Sequence, residues 1–127
     1  MMRNVITPAS GPKVIGAYSA AIETENFVFT SGQLGLDPAS GELVAGGIEE
    51  ETRQTLTNLT EVLRSVGVSM TDVVKTTVFL KDINDFPLMN KVYAEFFSNE
   101  PPARSAFQVA ALPKNARIEI EAIAIKR

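Results

Sequence analysis

Near the end of the chain Ile118, Ile120, Ala122 and Ala124 alternate with Glu119, Glu121, Ile123 and Ile125. Alternation with a period of two predicts a strand with two unlike faces. One face is apolar throughout. The other opens with two glutamates and closes with two isoleucines, so at least one glutamate is expected in partly apolar surroundings. A carboxylate so placed needs a partner or takes a raised pKa. The nearest cation in sequence is Arg104, in the stretch Pro101-Pro102-Ala103-Arg104-Ser105-Ala106-Phe107. The turn Leu112-Pro113-Lys114-Asn115 is short enough to join the two stretches as a hairpin. A structural Arg–Glu ion pair and two solvated edge glutamates are the alternatives to a catalytic pairing.

The same reading places the remaining elements. Residues 3–6 predict a short opening strand stopped by Pro8, and Ser10-Gly11-Pro12 a loop. Residues 18–24 are strand-like, Glu25-Asn26 predicts a hairpin turn, and Phe27-Val28-Phe29-Thr30-Ser31-Gly32 a second strand rich in β formers. Asp37-Pro38-Ala39-Ser40-Gly41 and Gly46-Gly47 carry turn chemistry. Ile48, Thr52, Leu56, Leu59, Leu63 and Val66 form one stripe at helical spacing, which predicts a helix over 48–66 closed by Gly67. Glu49, Glu50 and Glu51 fall in its first turn, where the helix dipole favours anions, and read as a solvated helix start rather than a metal site. Residues 73–80 predict a central strand. A second helix follows Asp85 as N-cap and Pro87 in the first turn, and runs to about Phe97. Its buried stripe is Met89, Val92, Tyr93 and Phe96, with Asn90 on the flank beside Phe86 and Phe97.

The order β-β-β-α-β-α-β-β is that of an α+β domain with a mixed sheet, read as one domain over residues 1–127. Two helices cover one face of such a sheet. The other face is partly apolar, as Ile123 and Ile125 indicate, so a homo-oligomer is expected to bury it.

Composition narrows the chemistry. The 127 residues contain no cysteine and no histidine. Thiol catalysis, Cys/His zinc sites, imidazole bases and Ser-His-Asp triads are thereby excluded. Any acid–base work falls to carboxylates, Tyr, Lys, arginine-bound water or backbone groups. A net charge of -3 with scattered Lys and Arg argues against a nucleic-acid or membrane-surface role. The N-terminal residues lack the apolar core of a signal peptide, and no apolar run nears the roughly 20 residues of a membrane span. The chain reads as soluble and cytoplasmic, with a mitochondrial location left open.

Ser31-Gly32-Gln33-Leu34-Gly35 follows a strand without the spacing of a phosphate-binding loop. With no histidine to activate Ser31, a strand end whose hydroxyl and N–H bind an anion is the better reading. Tyr18 sits at a loop-to-strand junction, and Asn90 borders a possible cleft beside the second helix. Arg104 is the best ligand candidate, since a guanidinium holds a carboxylate through two parallel hydrogen bonds.

Ser31-Gly32-Gln33, Val74-Lys75-Thr76-Thr77-Val78, Pro102-Ala103-Arg104-Ser105 and Ile118-Glu119-Ile120-Glu121-Ala122 occur in that order. In these motifs the chain resembles the RidA/YjgF family of reactive imine/enamine deaminases, over about residues 16–125. The resemblance implies a chorismate-mutase-like fold assembled as a homotrimer with a central barrel, and ligand clefts between subunits. It implies cofactor-independent hydrolysis of 2-imino or 2-amino-enoic acids, such as 2-aminoacrylate and 2-iminobutyrate, to 2-keto acids and ammonia. Arg104 matches the family's carboxylate-binding arginine and Glu119 the acid that holds water, aided by a backbone carbonyl near Ala106. Tyr18, Ser31, Gly32 and Asn90 match positions lining the cleft. A non-catalytic carboxylate-binding regulator or a chaperone-like protein is the alternative. Ribonuclease activity, also described in the family, fits poorly with the acidic charge. The chain departs from the pattern at Ala17 and Ala20, where many members have Pro and Gln. At Ala106, where bacterial members often have Cys, thiol behaviour does not carry over.

Overall fold

The computed structural model describes residues 2–127. Seven strands form one mixed sheet: β1 (Asn4–Ile6), β2 (Ala21–Glu23), β3 (Phe27–Thr30), β4 (Gln33–Leu34), β5 (Val73–Leu80), β6 (Ala103–Gln108) and β7 (Ile118–Ile125). Two helices, α1 (Gly47–Arg64) and α2 (Phe86–Phe96), complete the fold. The sheet order is β1-β2-β3-β7-β5-β6, with β4 also paired to β7. Only β5 and β6 run parallel, joined through α2 as a crossover.

Strand β7 shows the alternation expected of it. Ile118, Ile120, Ala122 and Ala124 are buried, while Glu119, Glu121, Ile123 and Ile125 are half-buried. The buried set packs with Leu56, Leu59 and Leu63 of α1 and Met89 and Tyr93 of α2, so both helices cover the same face. Among the described residues, no helix is long and apolar enough to cross a membrane.

The expected hairpin between the Arg104 strand and β7 does not form. Both strands flank β5 instead, β6 on the outer edge and β7 on the inner. The crossover through α2 returns β6 parallel to β5. The chain then rounds the end of β5, where Val109 N–H donates to Leu80 O and Lys81 N–H to Arg117 O, at 2.9 and 3.0 Å. This arrangement gives the apolar strand β5 a partner on each edge, and seats β7 between β5 on one side and β3 and β4 on the other.

Strands β3 and β4 are two parts of one strand, interrupted at Ser31-Gly32. Phe29 pairs with Ile123 and Gln33 with Ile120, four steps against three, so one residue is extra and the strand bulges. Thr30 helps bridge the break by accepting a hydrogen bond from Ala122 N–H at 3.0 Å.

The helix over 48–66 is present with its ends shifted by one and two residues. Gly67 adopts φ 78, a left-handed conformation open to glycine at little cost. The acidic start is not wholly solvated, because Glu51 is 0% exposed. Its carboxylate accepts from Arg117 N–H at 3.0 Å and from Arg117 Nη1 at 2.5 Å. A buried carboxylate requires such partners. Asp85 occupies the N-cap of α2 without a side-chain cap. Asp82 accepts from Asn84 N–H instead and closes the preceding 3₁₀ turn.

Candidate functional site

Residues directly across neighbouring strands share a face of the sheet. Arg104 on β6 lies across from Thr76 on β5, which lies across from Ala122 on β7. Thr76 and Ala122 are buried beneath the helices. Glu119 lies across from Phe79, and Phe79 from Phe107, on the uncovered face. Arg104 and Glu119 therefore lie on opposite faces of the sheet. The expected Arg104–Glu119 pairing is absent from the chain, because β5 intervenes and the two residues have opposite parity along their strands.

Glu119 belongs to a cleft of about 610 Å³ on the uncovered face, lined also by Tyr18, Ser31, Gly32 and Glu121. The bulge brings Gly32 against the carboxyl. A Cβ on Gly32 would collide with the Glu119 carboxyl, so any other residue there must push that side chain aside. Burial pushes the Glu119 carboxyl above the usual glutamate range, and the charge of Glu121 adds to the shift. Among the described residues, neither glutamate has an ion-pair partner. A glutamate with a raised pKa in partly apolar surroundings is what the β7 pattern implied.

Ser31 lines this cleft with both donors engaged. Its N–H donates to Ala20 O at 2.9 Å and its hydroxyl to Ser19 O at 2.5 Å. The anion-binding strand end expected there is accordingly not free, although the hydroxyl oxygen keeps acceptor capacity. Tyr18 is 52% exposed at the rim, just before β2.

Arg104 borders a second cleft, of about 330 Å³, on the helix-covered side. Asn90, Tyr93, Phe97, Pro101 and Pro102 line it too. Arg104 Nη1 donates to Asn90 Oδ1 at 2.8 Å. Its guanidinium lies 5.2 Å from the centre of the Phe86 ring and 4.7 Å from that of Tyr93, within cation–π range. Among the described residues it has no carboxylate partner. Burial pushes the Tyr93 phenol up, against the opposing effects of its Thr76 hydrogen bond and the Arg104 charge. Ala106, two residues along β6, packs against the core and lines neither cleft.

The chain thus brings Arg104 together with Asn90, and Glu119 with Tyr18, Ser31 and Gly32, and keeps the two groups apart. Sequence reading named Phe86 and Tyr93 only as packing, although their spacing with Asn90 at i, i+4 and i+7 is a visible signal. It also missed Asn58, whose Nδ2 donates to Leu34 O and Leu36 O at 3.0 and 2.9 Å. With Glu51, Asn58 ties α1 to the strands that carry the Glu119 cleft. Among the described residues, no group of three or more acidic side chains is placed to hold a metal ion.

Comparison with known proteins agrees with this architecture. The model of the endoribonuclease L-PSP family matches residues 8–126. A human protein named 2-iminobutanoate/2-iminopropanoate deaminase is 52% identical over 126 residues, covering 99% of this chain and 92% of the relative. A RutC family protein of Pyrococcus horikoshii is 52% identical over 125 residues, covering 98% and 99%. The crystal structure of the Escherichia coli YjgF gene product matches with a TM-score of 0.93 at 41% identity, covering 98% and 99%. That of Escherichia coli TdcF with bound serine matches with a TM-score of 0.93 at 38% identity, also covering 98% and 99%. On a family model spanning nearly the whole chain, and on relatives at this identity and coverage, the chain belongs to the endoribonuclease L-PSP, or RidA/YjgF, family.

Proposed function

We propose that this protein hydrolyses 2-imino acids, and the 2-amino-enoic acids that tautomerise to them, to 2-keto acids and ammonia. In this reading it works as a homotrimer of single-domain chains, with the uncovered sheet faces forming a central barrel. Each cleft joins Arg104 and Asn90 of one copy to Tyr18, Ser31, Gly32 and Glu119 of the next. One observation carries the proposal. Among the described residues, a clamped guanidinium without a carboxylate lies on one face and a carboxylate without a cation lies on the other, and a second copy would bring them together. The relatives named deaminases support the chemistry, and the serine held by the Escherichia coli relative supports a ligand with a small carboxylate.

Arg104 binds the substrate carboxylate through donors not used by Asn90. The protonated imine carbon is already electrophilic. Water held by Glu119, with a backbone carbonyl near Ala106 of the copy that supplies Arg104 as second acceptor, adds to that carbon and gives its proton to the Glu119 carboxylate. The carboxyl then returns that proton to the carbinolamine nitrogen; as the C–N bond breaks and the carbonyl forms, the hydroxyl proton passes to the Glu119 carboxylate and on to the departing ammonia, which leaves as ammonium. A raised pKa brings Glu119 nearer the operating pH, where one group serves as both base and acid. These steps use no cofactor and no metal, and nothing in them ties the protein to nucleic acid or a membrane. A cytoplasmic location is part of the proposal.

The test is keto-acid release from 2-iminobutyrate generated in place by an amino-acid oxidase, measured over the uncatalysed rate. Wild type should accelerate release. Glu119→Gln should lose about 10²–10⁴-fold, the range of general acid–base help, and Arg104→Ala should lose saturable binding. A wild-type rate equal to buffer, with 2-ketobutyrate still bound through Arg104, overturns the enzyme reading and leaves a carboxylate-binding protein.

A further inference from the structure

Phe86, Asn90 and Tyr93 occupy one face of α2, and all three meet Arg104. Asn90 Oδ1 takes one guanidinium proton at 2.8 Å. The rings of Phe86 and Tyr93 lie 5.2 and 4.7 Å from the guanidinium carbon. Tyr93 is itself held from two sides. Its hydroxyl lies 2.7 Å from Thr76 Oγ1, and its ring packs on Phe97 with centroids 4.7 Å apart. Thr76 is the β5 residue directly across from Arg104. The contacts therefore close a circuit from β6 to α2, from α2 to β5, and from β5 back to β6.

An arginine side chain is flexible, and ordering it on binding weakens affinity. Here the ordering is done before any ligand arrives. We infer that Tyr93, aided by Phe86, is a positioning residue that holds the Arg104 guanidinium plane ready for a small carboxylate with a short apolar carbon chain. Ala94, Phe97, Pro101 and Pro102 complete this chain's part of the wall with apolar surface, which suits a short carbon chain beside the carboxylate. The inference rests on the carboxylate-binding reading above, and deepens it by naming what makes Arg104 competent.

The test is calorimetric binding of 2-ketobutyrate to assembled protein, together with steady-state kinetics. Tyr93→Leu, which removes the ring, should weaken binding about tenfold, a cation–π contact's worth at a partly desolvated site. Tyr93→Phe keeps the ring and should bind within about twofold of wild type. Phe86→Leu should weaken binding about threefold. The losses should appear in KM with kcat little changed, a split that mere loss of folded protein would not produce. Tyr93→Leu that assembles normally and binds like wild type overturns the inference, and so does a Tyr93→Phe loss as large as that of Tyr93→Leu. Should Tyr93→Leu fail to fold, unchanged binding by Phe86→Leu overturns it. Failure of wild type to bind overturns the functional reading itself, a distinguishable result.

Discussion

Glu119 is half-buried and, among the described residues, has no cation paired with it, and that costs stability in a pH-dependent way. Its folded-state pKa lies above the ordinary 4.5. The folded protein therefore holds the proton more tightly than the unfolded chain does. The penalty is complete above the folded pKa. It is relieved as pH falls through that value, and is gone below 4.5, where both states are protonated. Glu119→Gln should raise Tm at neutral pH, and the gain should shrink to nothing as the pH falls through this window; a gain independent of pH would contradict the burial account. Asp72 has the opposite sign. A hydrogen bond from Arg127 holds its carboxyl below the ordinary 3.8, so its contribution is present at neutral pH and lost in acid. Gly32 offers a geometric test. A methyl group there must displace the Glu119 carboxyl. Gly32→Ala should cut turnover about 10²-fold, as misplacement of a catalytic group by about 1 Å does, while Arg104-dependent binding of 2-ketobutyrate is retained.

At the scale of elements, α1 does more than cover the sheet. Glu51 holds the backbone and side chain of Arg117 just before β7, and Asn58 holds Leu34 and Leu36 beside β4. Together they fix the strand pair on which Glu119 sits. Glu51→Ala removes a buried acceptor from both Arg117 donors and should cost about 1–3 kcal/mol, read by chemical denaturation. Leu59→Ala, at the centre of the same helix's apolar stripe, should cost about 2–5 kcal/mol. The apolar stripe of α1 and the alternation in β7 were legible because periodicity reports burial directly. The burial of Glu51 was not, because its partner Arg117 is sixty-six residues away in sequence and a local reading of acids at a helix start sees only the dipole. The hairpin expectation failed for a related reason. Local turn chemistry at Leu112–Asn115 is genuine, and the turn is a 3₁₀ turn with Lys114 and Asn115 at φ 58. Strand order, however, is decided by which edges of β5 need partners.

At the scale of the molecule, the uncovered face is the unfinished part of the single chain. Phe27, Phe29 and Phe107 are 40–43% exposed across it, beside Ile123 and Ile125. In the proposed assembly this apolar sheet face is the surface that packs between subunits. Phe29→Glu should weaken the assembly, measured as a shift toward monomer in sedimentation velocity, and should lower activity along with it. The presence of such a face was readable from β7 alone. The separation of Arg104 from Glu119 was not, since it depends on strand order and on parity across three strands. That separation underlies the central claim, that each cleft is built from two copies. The most direct measurement is complementation between inactive variants. Arg104→Ala and Glu119→Gln chains would be unfolded together in equal amounts, reassembled, and assayed for keto-acid release. In a closed ring of random composition about one cleft in four receives an intact arginine from one chain and an intact glutamate from the next. Recovery to about a quarter of wild-type activity is expected, from two parents that each have almost none. A mixture as inactive as its parents would contradict the two-copy site.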